Sequence, residues 1–249
     1  MDQSYTIGRK LGEGAFSDVY ECSTPHRVKM AVKIFKMAKS SDPIEADERL
    51  LKQLKHPNII RYEYIVKTIK GETHVLMELM ETSLREVMKK RLELATIKSF
   101  SIQVTRALEF IHDLGIIHND IKPSNLLITG DVIKLADFGS CVCPGVKNTS
   151  EGRTVRYTPP EVHTIGVTER RSDIWSFGVI LIELLTGKYP WNIDGKPDVV
   201  VEHTIMHIPP NTKNSIDDRL ANLAIRMTAL MTSRPYAKEV LEALEELSA

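Results

Sequence analysis

Up to about Met80 the apolar positions of this chain recur mostly at the two-residue period of a half-buried strand. The stretches "YTIGRKLGEGAFSDVYEC" (5–22), "VKMAVKIFKM" (28–37), "IIRYEYIVKTIK" (59–70) and "ETHVLMELM" (72–80) alternate, or run in β-branched and apolar residues. One helix interrupts them over "DPIEADERLLKQLK" (42–55). Asp42 suits its N-cap, Pro43 its first helical position, and Leu50, Leu51 and Leu54 its apolar stripe. Beyond Met80 the period lengthens to that of a helix. Helices are predicted in "SLREVMKKRLE" (83–93), "TIKSFSIQVTRALEFIHDLG" (96–115), "SDIWSFGVILIELLTG" (172–187), "IDDRLANLAIRMTALM" (216–231) and "AKEVLEALEELS" (237–248). The third of these is apolar nearly all round, which marks a helix buried in the middle of its part of the chain. Strands with one helix, followed by a largely helical part, make an α+β protein of two unequal pieces.

Bulk properties narrow the function classes. The 249 residues suffice for two modest lobes or one large domain, and 33 basic side chains balance 33 acidic ones. A neutral balance gives no reason to expect a nucleic-acid or membrane surface. No apolar run approaches the length that spans a bilayer, and "MDQSYTIGRK" lacks signal-peptide form, so an intracellular protein of cytoplasm or nucleus is expected. Cys22, Cys141 and Cys143 are too few, and odd in number, for a disulfide framework. The Cys141-x-Cys143 pair lacks the second pair that a structural zinc site needs.

Candidate chemistry lies in four places. "IIHNDIKPSNLLI" (116–128) packs His118, Asn119, Asp120, Lys122 and Asn125 between apolar flanks. It reads either as a surface turn or as a rigid loop in which Asp120 accepts a proton, Lys122 neutralises phosphate charge and Asn125 holds a metal ion. In "GEGAFSDV", Gly12 and Gly14 bracket a turn that could admit phosphates or could simply turn a hairpin. Lys33, within "AVKIF", shares its strand face with Ala31 and Phe35, which favours a functional lysine over a solvated one. Asp137 closes "VIKLAD"; it could cap a turn, but with Asn125 it makes a hard-oxygen pair suited to Mg²⁺.

Taken in order, the Gly-rich turn, Lys33 in "AVK", "HNDIKPSN", "DFG" (137–139), "PPE" (159–161), "SDIWSFG" and Arg234 in "SRPYAKEVL" resemble a eukaryotic-type serine/threonine protein kinase catalytic domain from Tyr5 to about Leu247. The resemblance implies a bilobal fold. A small, mainly antiparallel β lobe with one helix and a hinge spans about 5–80, and a larger, mainly helical lobe about 81–247, leaving little of this chain for a targeting or regulatory module. It implies ATP and Mg²⁺ as cofactors, a protein substrate, and a monomer whose regulatory partner is not readable. Lys33 would hold the α- and β-phosphates, Asn125 and Asp137 the metal, and Asp120 the substrate hydroxyl, while Lys122 would steady the γ-phosphate. Leu11, Gly12 and Gly14 would cover the nucleotide. Val19, Ala31 and Leu127 would sandwich adenine, Met77 would be the gatekeeper, and the carbonyl of Glu78 and amide of Met80 would hydrogen-bond the base. Phe138, His118 and Leu51 would stack into a spine, Glu161 and Arg234 would form a buried ion pair, and Asp173 would tie the central helix to the catalytic loop. Competing readings are a pseudokinase scaffold and a small-molecule kinase; intact Lys33, Asp120, Asn125 and Asp137 weigh against the first, "PPE" and "DIWSFG" against the second.

Some positions depart from the pattern. The acid partner of Lys33 falls on Asp47, which shares a helix face with Leu51 and Leu54, whereas Glu48 lies with Lys52 and Lys55. Asn119 stands where many kinases carry an arginine that grips an activation-segment phosphate. Thr149 and Ser150 are the candidate phosphosites there, and Thr154 reads as structural. Thr158 and Ser124 support neither a proline-directed nor a basophilic specificity. The hinge resembles MAP kinase kinases while the catalytic loop and "YTPPE" resemble monopolar-spindle-type checkpoint kinases, which leaves the subfamily open.

Two outcomes follow from these departures. Asp47→Ala should reduce phosphoryl transfer strongly and Glu48→Ala little in an initial-rate assay; the reverse order would shift the helix register by one residue. Phosphatase-treated protein, and a Thr149→Ala, Ser150→Ala double variant, should keep most of their activity, because Asn119 carries no charge with which to order a phosphorylated segment. A fall of more than about tenfold, restored by rephosphorylation, would contradict this.

Overall fold

The structure, a computed structural model, describes residues 5–14, 17–35, 51, 53–68, 71–145, 155–192 and 210–248. Asp47, Glu48, Lys147, Thr149, Ser150, Arg153 and Thr154, with most of the predicted 42–55 helix, lie outside them. The chain divides into two compact units between Glu81 and Thr82.

The first unit is a five-stranded antiparallel sheet of β1 (Thr6–Glu13), β2 (Ser17–Ser23), β3 (Lys29–Phe35), β4 (Tyr62–Lys67) and β5 (Thr73–Glu78), in spatial order β1-β2-β3-β5-β4. The alternation seen in the sequence becomes two faces. Cys22, Met30, Val32 and Leu76 form the buried core on one, with Tyr5, Tyr20, Ile34 and Val66 packed against them. The buried His74 joins that edge through a hydrogen bond with Tyr5, and its Nε2 lies 3.4 Å from Glu72 Oε2. Because directly paired residues share a face, the register Val19↔Lys33↔Val75 and Glu21↔Ala31↔Met77 assigns the opposite face to Val19, Ala31, Lys33 and Met77.

The second unit holds β6 (Thr82–Ser83), β7 (Leu126–Thr129) and β8 (Val132–Leu135) in a small antiparallel sheet. The α-helices among its described residues are α1 (Leu84–Val87), α2 (Leu94–Asp113), α3 (Pro160–Ile165), α4 (Arg170–Thr186), α5 (Asp218–Met227) and α6 (Ala237–Glu246). β7 and β8 are joined by a two-residue turn, Gly130–Asp131, with Gly130 at φ 55°, a left-handed value that glycine adopts without steric cost. The helix predicted for 83–93 shrinks to α1. Leu84 is the one buried residue of α1, and without an apolar stripe to pack, a short helix has little to sustain it. The turn after it tightens through three-residue hydrogen bonds from Lys89 to Glu86 and from Lys90 to Val87. The other long helices shift their ends by at most four residues, and α3, absent from the periodic pattern, begins within "PPE".

The centre of this unit is α4, buried from Ser172 to Ile182 and again at Leu184 and Leu185. Ser172 caps its start by accepting from the Glu169 amide (3.1 Å), and Gly187 at φ 72° ends it. Gly178 lets α5 approach: a Cβ there would lie 2.8 Å from Met227 Cβ. Arg234 and Glu161 form a buried bidentate pair at 2.6 and 3.1 Å, reinforced by Ser172 Oγ donating to Glu161 (3.0 Å). Near the end of α4 the Tyr157 hydroxyl donates to Glu183 (2.7 Å), and Arg156 lies over the Tyr189 ring at 4.9 Å.

Burial raises the Glu183 carboxyl above its ordinary range, against the smaller opposing pull of the Tyr157 hydrogen bond and the Arg156 and Arg85 charges. A carboxyl that holds its proton longer when folded favours folding most below its unfolded pKa. That contribution is lost as pH rises through the raised folded value. Glu183→Gln should therefore gain stability relative to wild type as pH rises above the ordinary carboxylate range, about pH 4, in denaturant titrations. A wild type that gains on the variant over that rise would show that hydrogen bonding and the arginines outweigh burial.

Candidate active site

In the first unit, Gly14 makes the turn between β1 and β2. Its N–H donates to Ser17 O (2.9 Å), and a Cβ on Gly14 would come 3.0 Å from that same oxygen, so a side chain would crowd the turn. Gly12 instead lies within β1, opposite Val19, where a Cβ would meet open space. Leu11 is exposed on the same strand. Lys33 is half-buried, its Nζ 5.2 Å from the centre of the Phe35 ring. Glu78 closes β5, its N–H donating to Arg61 O (3.0 Å) and its Oε1 accepting from the Arg61 amide (2.7 Å). Met80 follows it. The sheet register thus brings Val19, Ala31, Lys33 and Met77 onto one surface.

In the second unit, a loop between α2 and β7 carries a dense polar cluster. Asp173, on α4, is 1% exposed and accepts three hydrogen bonds: from His112 Nε2 (2.9 Å), the His118 amide (2.9 Å) and the Asn119 amide (2.8 Å). His118 is buried with its Nε2 on Ala136 O (3.0 Å), and its ring meets Phe138 edge-on at 4.9 Å. A carbonyl oxygen only accepts, so Nε2 carries the proton and Nδ1 is the acceptor that the Asp120 amide approaches at 3.3 Å. Asp120 Oδ2 receives both Lys122 Nζ (2.7 Å) and Asn125 Nδ2 (3.0 Å), and Asn125 Nδ2 also donates to Asp120 O (2.8 Å). Asp120 and Lys122 keep 18% and 25% of their side-chain surface open to solvent. The Ala136 amide donates to Asn125 O (2.9 Å), which sets Asp137 next to this cluster, in left-handed backbone at φ 66°. Leu127, on β7, opposes Ser83 and Lys134 and is half-buried.

Residues 5–244 match the protein kinase domain family. The chain belongs to that family. It is 37% identical over 203 residues to mitogen-activated protein kinase kinase kinase 4 of Homo sapiens, covering 74% of this chain and 12% of that protein. It is 38% identical over 201 residues to cytokinesis protein sepH of Aspergillus terreus, covering 76% and 14%. Against serine/threonine-protein kinase ATG1b of Arabidopsis thaliana it is 29% identical over 232 residues, covering 86% and 32%. The chain spans at most about a third of the length of these relatives.

The kinase domain's expected metal site fits the residues present. Both hydrogen bonds of the Asn125 amide nitrogen go to Asp120, which turns its Oδ1 away from that carboxylate. With the Asp137 carboxylate it supplies oxygen donors of the kind Mg²⁺ prefers. The expected contacts of Asp173 with the catalytic loop and of Glu161 with Arg234 are present. His112 and Thr168 were not legible as part of the loop's support. His112 sits in an ordinary helical pattern, and Thr168, whose hydroxyl donates to Asn119 Oδ1 (3.3 Å), has no motif around it. No helix among the described residues is long and apolar enough to cross a membrane.

Proposed function

We propose that this chain transfers the γ-phosphoryl group of ATP to serine or threonine hydroxyls of a protein substrate, with Asp120 as the base. The observation that carries this reading is the convergence of Lys122 and Asn125 on one oxygen of Asp120. With Oδ2 taken by both donors, Oδ1 is the oxygen that faces an incoming hydroxyl. It orients the hydroxyl for in-line attack and takes its proton as the bond to phosphorus forms. Lys122, beside Oδ2, adds positive charge where the transferred group becomes most electron-rich. Lys33 binds the α- and β-phosphates, with Asp47 as its acid partner. Leu11, Gly12, Gly14, Val19, Ala31, Met77, Glu78, Met80 and Leu127 hold the rest of the nucleotide. Asn125 and Asp137 would hold Mg²⁺, which would offset the negative charge of the phosphates.

The working unit is read as one kinase domain from Tyr5 to about Leu247, monomeric and intracellular, its smaller lobe and hinge ending near residue 80. Balanced charge supports a protein rather than a nucleic-acid partner. A pseudokinase scaffold would bind partners without turnover. Its one sequence support is the aspartate at Asp47, one methylene shorter than the usual glutamate.

The deciding experiment incubates the chain with labelled ATP, Mg²⁺ and a mixed protein substrate. Lys33→Met, Asp120→Asn and Asp137→Asn should each lower turnover by at least about a hundredfold while the thermal midpoint stays close to wild type. Each removes one charge or proton acceptor with little change in volume. Near-wild-type turnover of Asp137→Asn in Mg²⁺ would remove Asp137 from the metal site, and a wild type without turnover would favour the scaffold.

A further inference from the structure

Asn119 occupies left-handed backbone at φ 68°, and its hydrogen-bonding groups reach separate parts of the larger unit. Its amide N–H donates to Asp173 Oδ1 (2.8 Å), its Nδ2 donates to Ser140 O (2.9 Å), and its Oδ1 accepts from Thr168 Oγ1 (3.3 Å). The orientation of the side-chain amide is fixed by chemistry, since the Ser140 carbonyl can only accept. Thr168 is fully buried, and its own carbonyl accepts from the Gly145 amide (3.3 Å). Between these two anchor points Val142 exchanges a pair of backbone hydrogen bonds with Ile117 (2.9 and 3.0 Å), and Cys141 Sγ approaches His118 O at 3.8 Å. Every one of these contacts to the segment Ser140–Gly145 joins neutral groups.

We propose that Asn119 and Thr168 are positioning residues forming an uncharged latch. It keeps Ser140–Gly145 seated on the catalytic loop and thereby holds Asp137 and Asp120 in place without a phosphorylated residue. The assignment rests on the roles proposed above for Asp120 and Asp137. The physical case is one of connectivity. Asp137 lies three residues before Ser140, so a segment free to lift at Ser140 would release the left-handed turn that aims Asp137. Asn119 is also the junction at which the same residue is tied to α4 through Asp173. An arginine at this position would have no acceptor for the buried Thr168 hydroxyl. A buried hydroxyl left without its partner costs more than the bond itself contributes.

The test uses the full chain, phosphatase-treated, as wild type and as Asn119→Gly, Thr168→Val and Thr168→Ser. Glycine keeps the freedom for positive φ and removes both side-chain bonds; valine keeps the shape of threonine without its hydroxyl; serine restores the hydroxyl. Each is followed by initial rates and by amide hydrogen exchange. Asn119→Gly and Thr168→Val should each lower kcat about tenfold, the loss of one to two hydrogen bonds, with KM for ATP unchanged. The double variant should lose little more than either single one. Exchange at the Val142 and Gly145 amides should quicken about tenfold in both, while exchange along α4 stays slow. Thr168→Ser should behave as wild type in both measurements. Unchanged exchange at Val142 and Gly145 would overturn the latch. Faster exchange with unchanged kcat in an active wild type would overturn its positioning role. Exchange reads the latch even if the wild type shows no turnover, so failure of the kinase reading is distinguished from failure of the latch.

Discussion

The catalytic loop hangs on one carboxylate. Asp173 is withdrawn from water in the most deeply buried helix among the described residues, where an unpaired charge would be prohibitively costly. Three donors offset that cost, and two of them are backbone amides of adjacent residues, His118 and Asn119. Binding two successive amides fixes the direction of the chain as well as its position. Asp120 is the next residue, so the orientation of the carboxylate proposed as the base is set by a residue 53 positions away in sequence, on α4. The third donor, His112, comes from the last turn of α2, and so three segments meet at Asp173. A buried carboxylate that serves several segments at once is sensitive to loss of any partner, because the charge stays behind when a donor is removed.

Backbone strain falls at this site as well as at Arg27 and Asn214. Asn119 and Asp137 are both non-glycine residues at positive φ, a conformation costing on the order of 1 kcal/mol for an L-residue. Asparagine and aspartate tolerate it better than most, yet neither would stay there unaided. Asn119 is held by its amide bond to Asp173 and its side-chain bonds to Ser140 and Thr168. Asp137 sits between Ala136, bonded through its amide to Asn125 and through its carbonyl to His118, and Phe138, packed edge-on against the His118 ring. His118 therefore contributes no chemistry of its own. It is a buried spacer whose ring, in one tautomer, links the loop carrying Asp120 to the turn carrying Asp137.

Much of this was legible in the chain because local chemistry and global arrangement agree. The two-residue alternation through Ala31, Lys33 and Phe35 separated the faces of β3 before any register was known, and pairing then added Val19 and Met77 to the same surface. The apolar run of α4 announced a buried helix, and the loop motif announced the polar cluster in which Lys122 and Asn125 meet Asp120. What stayed hidden depends on tertiary packing. The helical pattern after Ser83 looked adequate, but with Leu84 as its one buried residue it closed after four residues. Thr168 gives no sign in sequence, since its hydroxyl acquires meaning only when Asn119 turns into left-handed backbone and offers it an acceptor. The Tyr157–Glu183 contact joins residues 26 apart with no shared periodicity.

Rigidity explains why so much of α4 is apolar. A loop can hold a base to within fractions of an ångström only if its anchor does not move, and an anchor on an amphipathic surface helix would follow every fluctuation of the solvent-exposed side. Surrounding Asp173 with Ile174, Trp175 and Phe177, and closing α5 onto Gly178, replaces that freedom with close packing. The polar residues of α4 then fall where they have work: Ser172 on Glu161 at the start, Asp173 on the catalytic loop, Ser176 on Tyr157 O at 2.6 Å, and Glu183 under the Tyr157 hydroxyl. One helix thus supports the catalytic loop, the ion pair of α3 and the turn before it. A change in any of these segments has to be accommodated against an element that packing does not allow to shift.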